Sequence, residues 1–339
     1  MWAEYGIFVL KIVTILVSLL LFIAVLAQIK GKSPSRDPIV LEKLNDSYRE
    51  LKLAWLQTFA GEGKAYDKEQ LKAEKKAMKT EKKSHKNMAK RKRKVFVLQF
   101  NGNIKADAVA TMREEISAIL QVASKEDEVV LNLESPGGVV AGYGLAAAQL
   151  SRIRDAGIKL TVCVDKVAAS GGYLMAVVAD KIIAAPFAVI GSIGVIAQIP
   201  NVHELLKKNH VEVIELTAGK HKRPLSVLGQ STQEGKQHVK EQLQLIHEQF
   251  KSLVLQYRPD LDIAQIATGD YWSAENALKY RLVDELQTSD AYIQQSLQIA
   301  DVYAVKTEKK PKLKDKLAGT VLGLWEACLD HVHGMQFGG

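Results

Sequence analysis

Two glycine-rich segments of the chain place small residues directly after predicted strands. They are Glu134-Ser-Pro-Gly-Gly138 and Val167-Ala-Ala-Ser-Gly-Gly-Tyr173. In open α/β sheets, ligands bind at the carboxyl ends of strands, and glycine amides there can donate to a developing oxyanion. A serine at a strand-to-helix turn, here Ser170, can expose its hydroxyl as a nucleophile. An ordinary tight turn and a helix N-cap are the alternative roles of these two segments.

A serine nucleophile needs a base, and the histidines do not provide one. None of the eight lies in an apolar, glycine-rich segment, and no HExxH spacing occurs. Lysine is the remaining candidate, in Gly219-Lys-His-Lys222 after a predicted strand. To be neutral, a lysine must have its pKa lowered from about 10.4 to about 7 by burial, which costs about 4 kcal/mol. Spacing does not choose between Lys220 and Lys222, and both are compatible with a solvated loop.

Composition and charge exclude several classes of protein. The 339 residues are 47% hydrophobic and 25% charged, which permits a packed core. Cys163 and Cys328 are too few for a disulfide scaffold or a four-cysteine zinc site, and we expect no metal or cofactor. The net charge of +8 comes from residues 71–94, which hold twelve Lys or Arg and two Glu. That segment lacks interleaved aromatic residues, so we do not expect nucleic-acid binding.

An uncharged apolar run from Ile12 to Ile29 predicts one transmembrane anchor. Its eighteen residues span about 27 Å as a helix, close to the hydrocarbon thickness of a bilayer. A cleaved signal peptide is one alternative, with a cleavage site at Val25-Leu26-Ala27, but Glu4 and the length of the run disfavour it. A buried core helix is the other alternative.

The segment after the anchor predicts lysine-rich helices. Apolar residues in 38–60 recur in alternating steps of three and four, as in a heptad seam. The seam consists of Leu41, Leu44, Tyr48, Leu51 and Trp55. A coiled coil and a helix packed on its own domain both fit this pattern. Residues 61–94 are typical of a solvated helix or linker, with contact to anionic headgroups as an alternative.

From residue 95 onward, strand-like and helix-like segments alternate. We predict strands at 95–100, 128–134, 159–165, 181–185, 189–198 and 211–217. We predict helices at 106–124, 142–156, 170–179, 201–209 and from a capping box at Ser231-Thr-Gln-Glu234 to Tyr257. Repeated βα units imply an α/β fold with a largely parallel, buried sheet.

Taken together and in this order, these features resemble the signal peptide peptidase A family of membrane-anchored serine peptidases, in particular its short, single-domain members. The likeness covers about residues 1–30 and 94–300. Besides the two glycine-rich segments, the matching text is Ile190-Gly-Ser-Ile-Gly-Val195, Thr217-Ala-Gly-Lys-His-Lys-Arg223, Ala267-Thr-Gly-Asp-Tyr-Trp272, Leu282-Val-Asp-Glu285 and the amino-terminal Glu4-Tyr-Gly-Ile-Phe with Lys11-Ile-Val-Thr14. The family usually has glycine where this chain has Arg281, which concerns a local turn.

The resemblance implies a Clp-protease/crotonase-like fold of repeated ββα units and a Ser/Lys dyad. It makes Ser170 the nucleophile and Lys222 the general base, because the family's lysine ends a Gly-x-x-Lys pattern. It makes the amides of Gly171 and of Gly137 or Gly138 the oxyanion donors. It also implies a homo-oligomer in which neighbouring subunits supply the serine and the lysine.

The expected organisation is an anchor at 1–30, a helical, Lys-rich region at 31–93, a peptidase domain at 94–305 and a basic, amphipathic tail at 306–339. The expected function is endoproteolysis of hydrophobic peptides, such as signal peptides or unfolded segments, at a bacterial inner membrane. Basic residues after the anchor favour a cytoplasmic catalytic domain, whereas the resemblance suggests the opposite face. An inactive membrane scaffold or adaptor and a crotonase-type acyl-CoA enzyme are the alternatives.

Overall fold

A computed structural model describes residues 6, 8–16, 19, 37–61, 65–84 and 92–308. Residues 8–16 are helical. Ile39–Thr307 form one compact unit, and Met1–Pro38 with Glu308–Gly339 form the other.

The compact unit alternates strands and helices as the sequence predicts. Its strands are β1 (Ile39–Lys43), β2 (Lys94–Asn101), β3 (Glu128–Glu134), β4 (Lys159–Val164), β5 (Val167–Ala169), β6 (Lys181–Ala184), β7 (Val189–Gly191), β8 (Tyr271–Ser273), β9 (Glu285–Leu286) and β10 (Asp301–Thr307). Its helices are α1 (Leu44–Gly61), α2 (Ala65–Ser84), α3 (Val109–Val122), α4 (Val140–Asp155), α5 (Gly171–Ala176), α6 (His203–Lys208), α7 (Gln233–Tyr257), α8 (Ile263–Ile266), α9 (Ala274–Lys279) and α10 (Ser289–Ile299).

The strands form two sheets. The larger sheet has the order β1-β10-β2-β3-β4-β6-β9, and every neighbouring pair is parallel except β1 with β10. The smaller sheet has the order β5-β7-β8. Alternate residues of a strand belong to different apolar clusters: Phe96 and Leu98 to one, Val95 and Val97 to the other. Both faces of the larger sheet are therefore covered, which confirms the predicted mixed α/β fold with a largely parallel, buried sheet.

The prediction of one helical seam across 38–60 is wrong at its beginning. Ile39–Lys43 pair with β10 as a strand, because their β-branched residues complete the edge of the sheet. Leu41 therefore lies outside the helix. Leu44 packs against an apolar cluster of the same unit, whereas Tyr48, Leu51 and Trp55 of α1 are exposed.

Three other predictions of local structure need correction. The strand predicted at 189–198 ends at Gly191, and the strand predicted at 211–217 is not formed; its residues are irregular and exposed. Residues 192–198 and 211–217 pair with no strand among the residues that the structure describes. The cap of α7 is Thr232, whose hydroxyl accepts the Gly235 amide at 3.0 Å, and not Ser231.

Among the described residues, no helix combines the length and the apolar character needed to cross a bilayer. Most of the predicted anchor, residues 17–18 and 20–29, lies outside the described residues, as does the tail from residue 309.

A buried carboxylate holds the amino-terminal ends of the central strands together. Glu128 accepts hydrogen bonds from Tyr292 at 2.7 Å and from Thr161, and forms ion pairs with Arg93 and with Lys159 at 3.1 Å. Burial alone would raise the pKa of Glu128, but these hydrogen bonds and the Lys159 charge outweigh burial and lower it below its ordinary value.

We predict that Glu128→Ala lowers the free energy of unfolding by about 3 kcal/mol, because it leaves buried donors and a cation without their partner. Chemical denaturation at neutral pH measures this loss. The folded-state pKa is lowered, so the stabilisation is present above the ordinary value of 4.5 and is lost as the pH falls below it.

The matched control is Glu134→Ala at the other end of β3, where an exposed pair with Lys166 at 3.0 Å is removed. We expect a loss of less than about 1 kcal/mol there. Equal losses for the two variants would contradict a specific role of the Glu128 cluster.

Candidate active site

The two glycine-rich segments meet at the junction between the larger sheet and the smaller sheet. Ser135, directly after β3, forms a parallel bridge with Ala168 of β5. The Ser135 amide donates to the Val167 carbonyl at 2.8 Å, and the Ala169 amide donates to the Ser135 carbonyl at 3.0 Å. These bonds bring the Pro136–Gly138 turn beside Ser170, as expected for two segments that follow neighbouring strands.

Ser170 occupies a strained turn between β5 and α5. Its φ of 51° and ψ of −120° lie outside the regions that L-residues favour. Its amide donates to the Gly191 carbonyl at 2.8 Å and its carbonyl accepts the Leu174 amide at 2.9 Å, so the backbone is fixed on both sides. The Ser170 hydroxyl makes no capping hydrogen bond, so it does not act as the N-cap of α5. Strain of this kind in a non-glycine residue is found where a side chain must be presented for function.

The glycines are required by close backbone approach. A Cβ on Gly137 would lie 2.7 Å from the Gly171 nitrogen and 2.9 Å from the Ser170 Cβ. A Cβ on Gly138 would lie 2.2 Å from the Ile104 carbonyl oxygen, and one on Gly171 would lie 2.5 Å from Cγ of Tyr143. Gly137 also has a φ of +91°, which favours glycine.

The amides of these glycines differ in what they bind. The Gly137 amide donates to the Ser135 hydroxyl at 3.1 Å. Among the described residues, neither the Gly138 nor the Gly171 amide donates a hydrogen bond within the protein. Two amides beside Ser170 are therefore free to donate to a ligand.

An apolar cavity of about 500 Å³ includes Ser170 and these two glycines in its wall. Most of the lining comes from three places: small residues of α4, residues in and after α5, and one face of α7. The apolar residues of α7 in the lining are Leu243, Ile246, Phe250, Leu253 and Tyr257, all on the apolar stripe visible in the sequence. Gln249 and Gln256 of the same helix also line the cavity. In the part of the chain that the structure describes, no Lys, His, Asp or Glu lines this cavity.

Lys222 does not lie in this cavity. Its amide closes a turn with the Gly219 carbonyl at 3.1 Å, and its side chain is exposed. The Lys220 ammonium forms an ion pair with Glu234 at 2.9 Å, whereas Lys222 has no ion pair among the described residues. Within one chain, the structure therefore brings Ser170, Gly138 and Gly171 together and leaves Lys222 apart.

Some cavity residues were not predicted from the sequence. Gly144, Ala147 and Ala148 line the cavity from α4, and the signal that identifies them is a run of small residues inside a predicted helix.

Arg281, where glycine was expected, adopts a φ of +59°, which explains why a glycine suits that turn.

Comparisons with known proteins agree with this architecture. The family described as "Peptidase family S49 N-terminal" matches residues 1–150, and "Peptidase family S49" matches residues 152–303. "Probable protease SohB" of Haemophilus influenzae is 49% identical over 321 residues, which cover 92% of this chain and 90% of that protein.

Two solved structures are more distantly similar. A mutant of the 1510-N membrane-bound stomatin-specific protease has a TM-score of 0.43 and 16% identity, and covers 65% of this chain and 100% of that one. A ClpP1 mutant from Listeria monocytogenes has a TM-score of 0.38 and 14% identity, and the match covers 59% of this chain and 93% of that one.

The chain is therefore a mixed α/β protein whose sequence matches a family of peptidases. The matched domains and the extent of the similarity show that it belongs to peptidase family S49.

Because Ser170 has a positive φ, we predict that Ser170→Gly unfolds with a free energy about 1 kcal/mol higher than Ser170→Ala. Both variants lack the hydroxyl, so the difference measures the backbone strain. Chemical denaturation of the two variants tests this order.

The control is Ser151 in α4, whose hydroxyl donates to a helix carbonyl. There the order should reverse, with Ser151→Gly about 1 kcal/mol less stable than Ser151→Ala. If glycine is the less stable choice at both positions, Ser170 is not strained.

Proposed function

We propose that this protein is a membrane-anchored serine endopeptidase that hydrolyses hydrophobic peptides, such as signal peptides or unfolded segments. Ser170 is the nucleophile, Lys222 is the general base, and the amides of Gly138 and Gly171 hold the oxyanion. The observation that carries the proposal is a strained serine beside two free amides in the wall of an apolar cavity.

The proposed reaction follows from this arrangement. Neutral Lys222 accepts the Ser170 proton as Oγ attacks the scissile carbonyl. The two glycine amides donate to the carbonyl oxygen as it becomes negative. The leaving amine then departs with a proton, and a water molecule hydrolyses the acyl-enzyme. Gly137 is the less suitable oxyanion donor, because its amide already donates to Ser135.

The apolar cavity supports the choice of substrate. Its α7 wall offers aliphatic and aromatic side chains, and the described lining contains no charge that would attract a polar side chain. Burying one large apolar substrate side chain there contributes about 1.5–3 kcal/mol to binding. Hydrophobic segments of a polypeptide meet this requirement best.

Because the described residues place no base in the cavity wall, we propose that Lys222 reaches Ser170 from a neighbouring subunit of a homo-oligomer. The segment before Lys222 supports this arrangement. Its residues Ile214 and Leu216 are 75% and 90% exposed, and Ile196 in the loop after β7 is 84% exposed. Large apolar residues exposed together on a surface are typical of an interface with another chain.

The remaining parts of the proposal concern the membrane. We propose an anchor at 1–30, a Lys-rich helical region at 31–93, a peptidase domain at 94–305 with a Clp-protease/crotonase-like arrangement, and a tail at 306–339. The protein would then be a single-pass component of a bacterial inner membrane, in contact with lipid. The positive charges after residue 29 favour a cytoplasmic catalytic domain.

We predict that Ser170→Ala and Lys222→Ala each lower kcat on a signal-peptide-like substrate by at least about 1,000-fold. Protein purified in detergent should be compared with Lys220→Ala, which removes a lysine of the same turn that is paired with Glu234. We expect Lys220→Ala to keep most of the activity.

Activity retained in Ser170→Ala would overturn the serine mechanism. Loss in Lys220→Ala with retention in Lys222→Ala would assign the base to the other lysine. Absence of Ser170-dependent cleavage in wild type would favour the inactive-scaffold alternative.

A shared site makes a further prediction about mixed oligomers. When Ser170→Ala and Lys222→Ala chains are coexpressed and isolated through two different tags, some sites combine an intact serine with an intact lysine. We expect cleavage to recover to a measurable fraction of wild type, although each variant alone is inactive. Isolated mixed oligomers that stay inactive would place both residues of a site in one chain.

A further inference from the structure

A buried chain of hydrogen bonds lies directly beneath the candidate oxyanion donors. The Tyr143 hydroxyl donates to the Asn103 carbonyl at 2.8 Å. The Ser135 and Tyr143 hydroxyls are 2.6 Å apart. Because the tyrosine proton is used on Asn103, Ser135 is the donor in that pair, and its own oxygen accepts the Gly137 amide at 3.1 Å. The donor and the acceptor of each hydrogen bond in this chain are therefore defined.

Within this chain of hydrogen bonds, neither hydroxyl has a second partner to replace a lost one. Ser135 and Tyr143 are both 0% exposed, so water cannot replace the bond between their hydroxyls. Burial raises the pKa of Tyr143, more than the hydrogen bond with Ser135 lowers it, so the phenol stays protonated at neutral pH. Loss of either hydroxyl leaves a buried polar group unpaired, which the loop can relieve only by moving.

Tyr143 also contacts the second donor. The space beside Gly171 is filled by the Tyr143 ring, so that a Cβ there would lie 2.5 Å from Cγ of the tyrosine. The ring is itself held edge-to-face by Phe100 at 6.4 Å between centroids. One side chain thus supports Gly171 with its ring and the Gly137–Gly138 turn with its hydroxyl.

We propose that Tyr143 and Ser135 are positioning residues that fix the Gly138 amide relative to the Gly171 amide. By consuming the Gly137 amide, Ser135 orients the turn so that the next amide, that of Gly138, faces the cavity. Neither side chain needs to touch the substrate. The inference rests on the proposed function, because it concerns donors to a transition-state oxyanion.

The test uses full-length protein in detergent and a fluorogenic peptide with leucine before the scissile bond. Tyr143→Phe keeps the ring and removes the hydroxyl. We expect kcat to fall about 10- to 100-fold, because a small misplacement of a catalytic group has effects of this size. KM should change by less than about twofold, because the amides act mainly in the transition state.

Ser135→Ala should give the same loss, and the double variant should lose no more than either single variant, since both hydroxyls act in one chain of bonds. The matched control is Tyr173→Phe. Tyr173 is equally buried and donates to the Leu282 carbonyl at 2.9 Å, away from the Pro136–Gly138 turn. Its kcat should stay within about twofold of wild type.

Hydrogen exchange of the Gly137 amide, which donates to the Ser135 hydroxyl, is a readout independent of activity. It should rise in Tyr143→Phe and Ser135→Ala and stay unchanged in Tyr173→Phe. An unchanged kcat and exchange in Tyr143→Phe, or an equal loss of kcat in Tyr173→Phe, would overturn the proposed positioning role. If Ser170→Ala retains wild-type activity, the proposed function fails instead, and the exchange data alone decide whether the hydroxyls hold the turn.

Discussion

The close contact between two backbone turns is the constraint on which the rest of this structure depends. Gly137 and Gly171 approach so nearly that a Cβ on the first would overlap the amide of the second. Such an approach leaves no room for side chains and places two amide donors next to one hydroxyl. A polar surface made of backbone is rigid, because it has no rotamers to lose when a ligand binds.

The parallel sheet is what makes this contact possible. β3 and β5 deliver their following turns to the same place through the bridge between Ser135 and Ala168. The opposite end of β3 carries the Glu128 cluster, where the buried carboxylate accepts hydrogen bonds and forms ion pairs. One end of the strand is therefore stabilised while the other accommodates the strain of Ser170, a distribution that is common where function requires an unfavourable backbone conformation.

The single chain is also incomplete in an instructive way. Its cavity has a serine hydroxyl and two amides in its wall, yet the described lining includes no Lys, His, Asp or Glu. Residues 211–217 form no strand and expose large apolar side chains. Both features have one explanation if a second copy supplies the lysine and covers the segment. A site completed only by assembly would keep an isolated chain inactive toward other proteins.

The sequence alone determined most of the strands and helices between residues 95 and 209, the long helix that ends at Tyr257, the largely parallel sheet and the two segments that contain Ser170, Gly138 and Gly171, because hydrophobic periodicity and glycine-rich turns are local signals. It did not predict β5 or the short elements after Tyr257. It did not determine that Ile39–Lys43 join the sheet, since a short β-branched segment becomes a strand only when an edge such as β10 is available. It also did not separate Gly137 from Gly138, because that choice depends on the buried Ser135 hydroxyl. Only the tertiary structure decided that Tyr143 supports both turns and that Lys222 lies outside the cavity, because distances between residues far apart in sequence are set by packing and not by spacing along the chain.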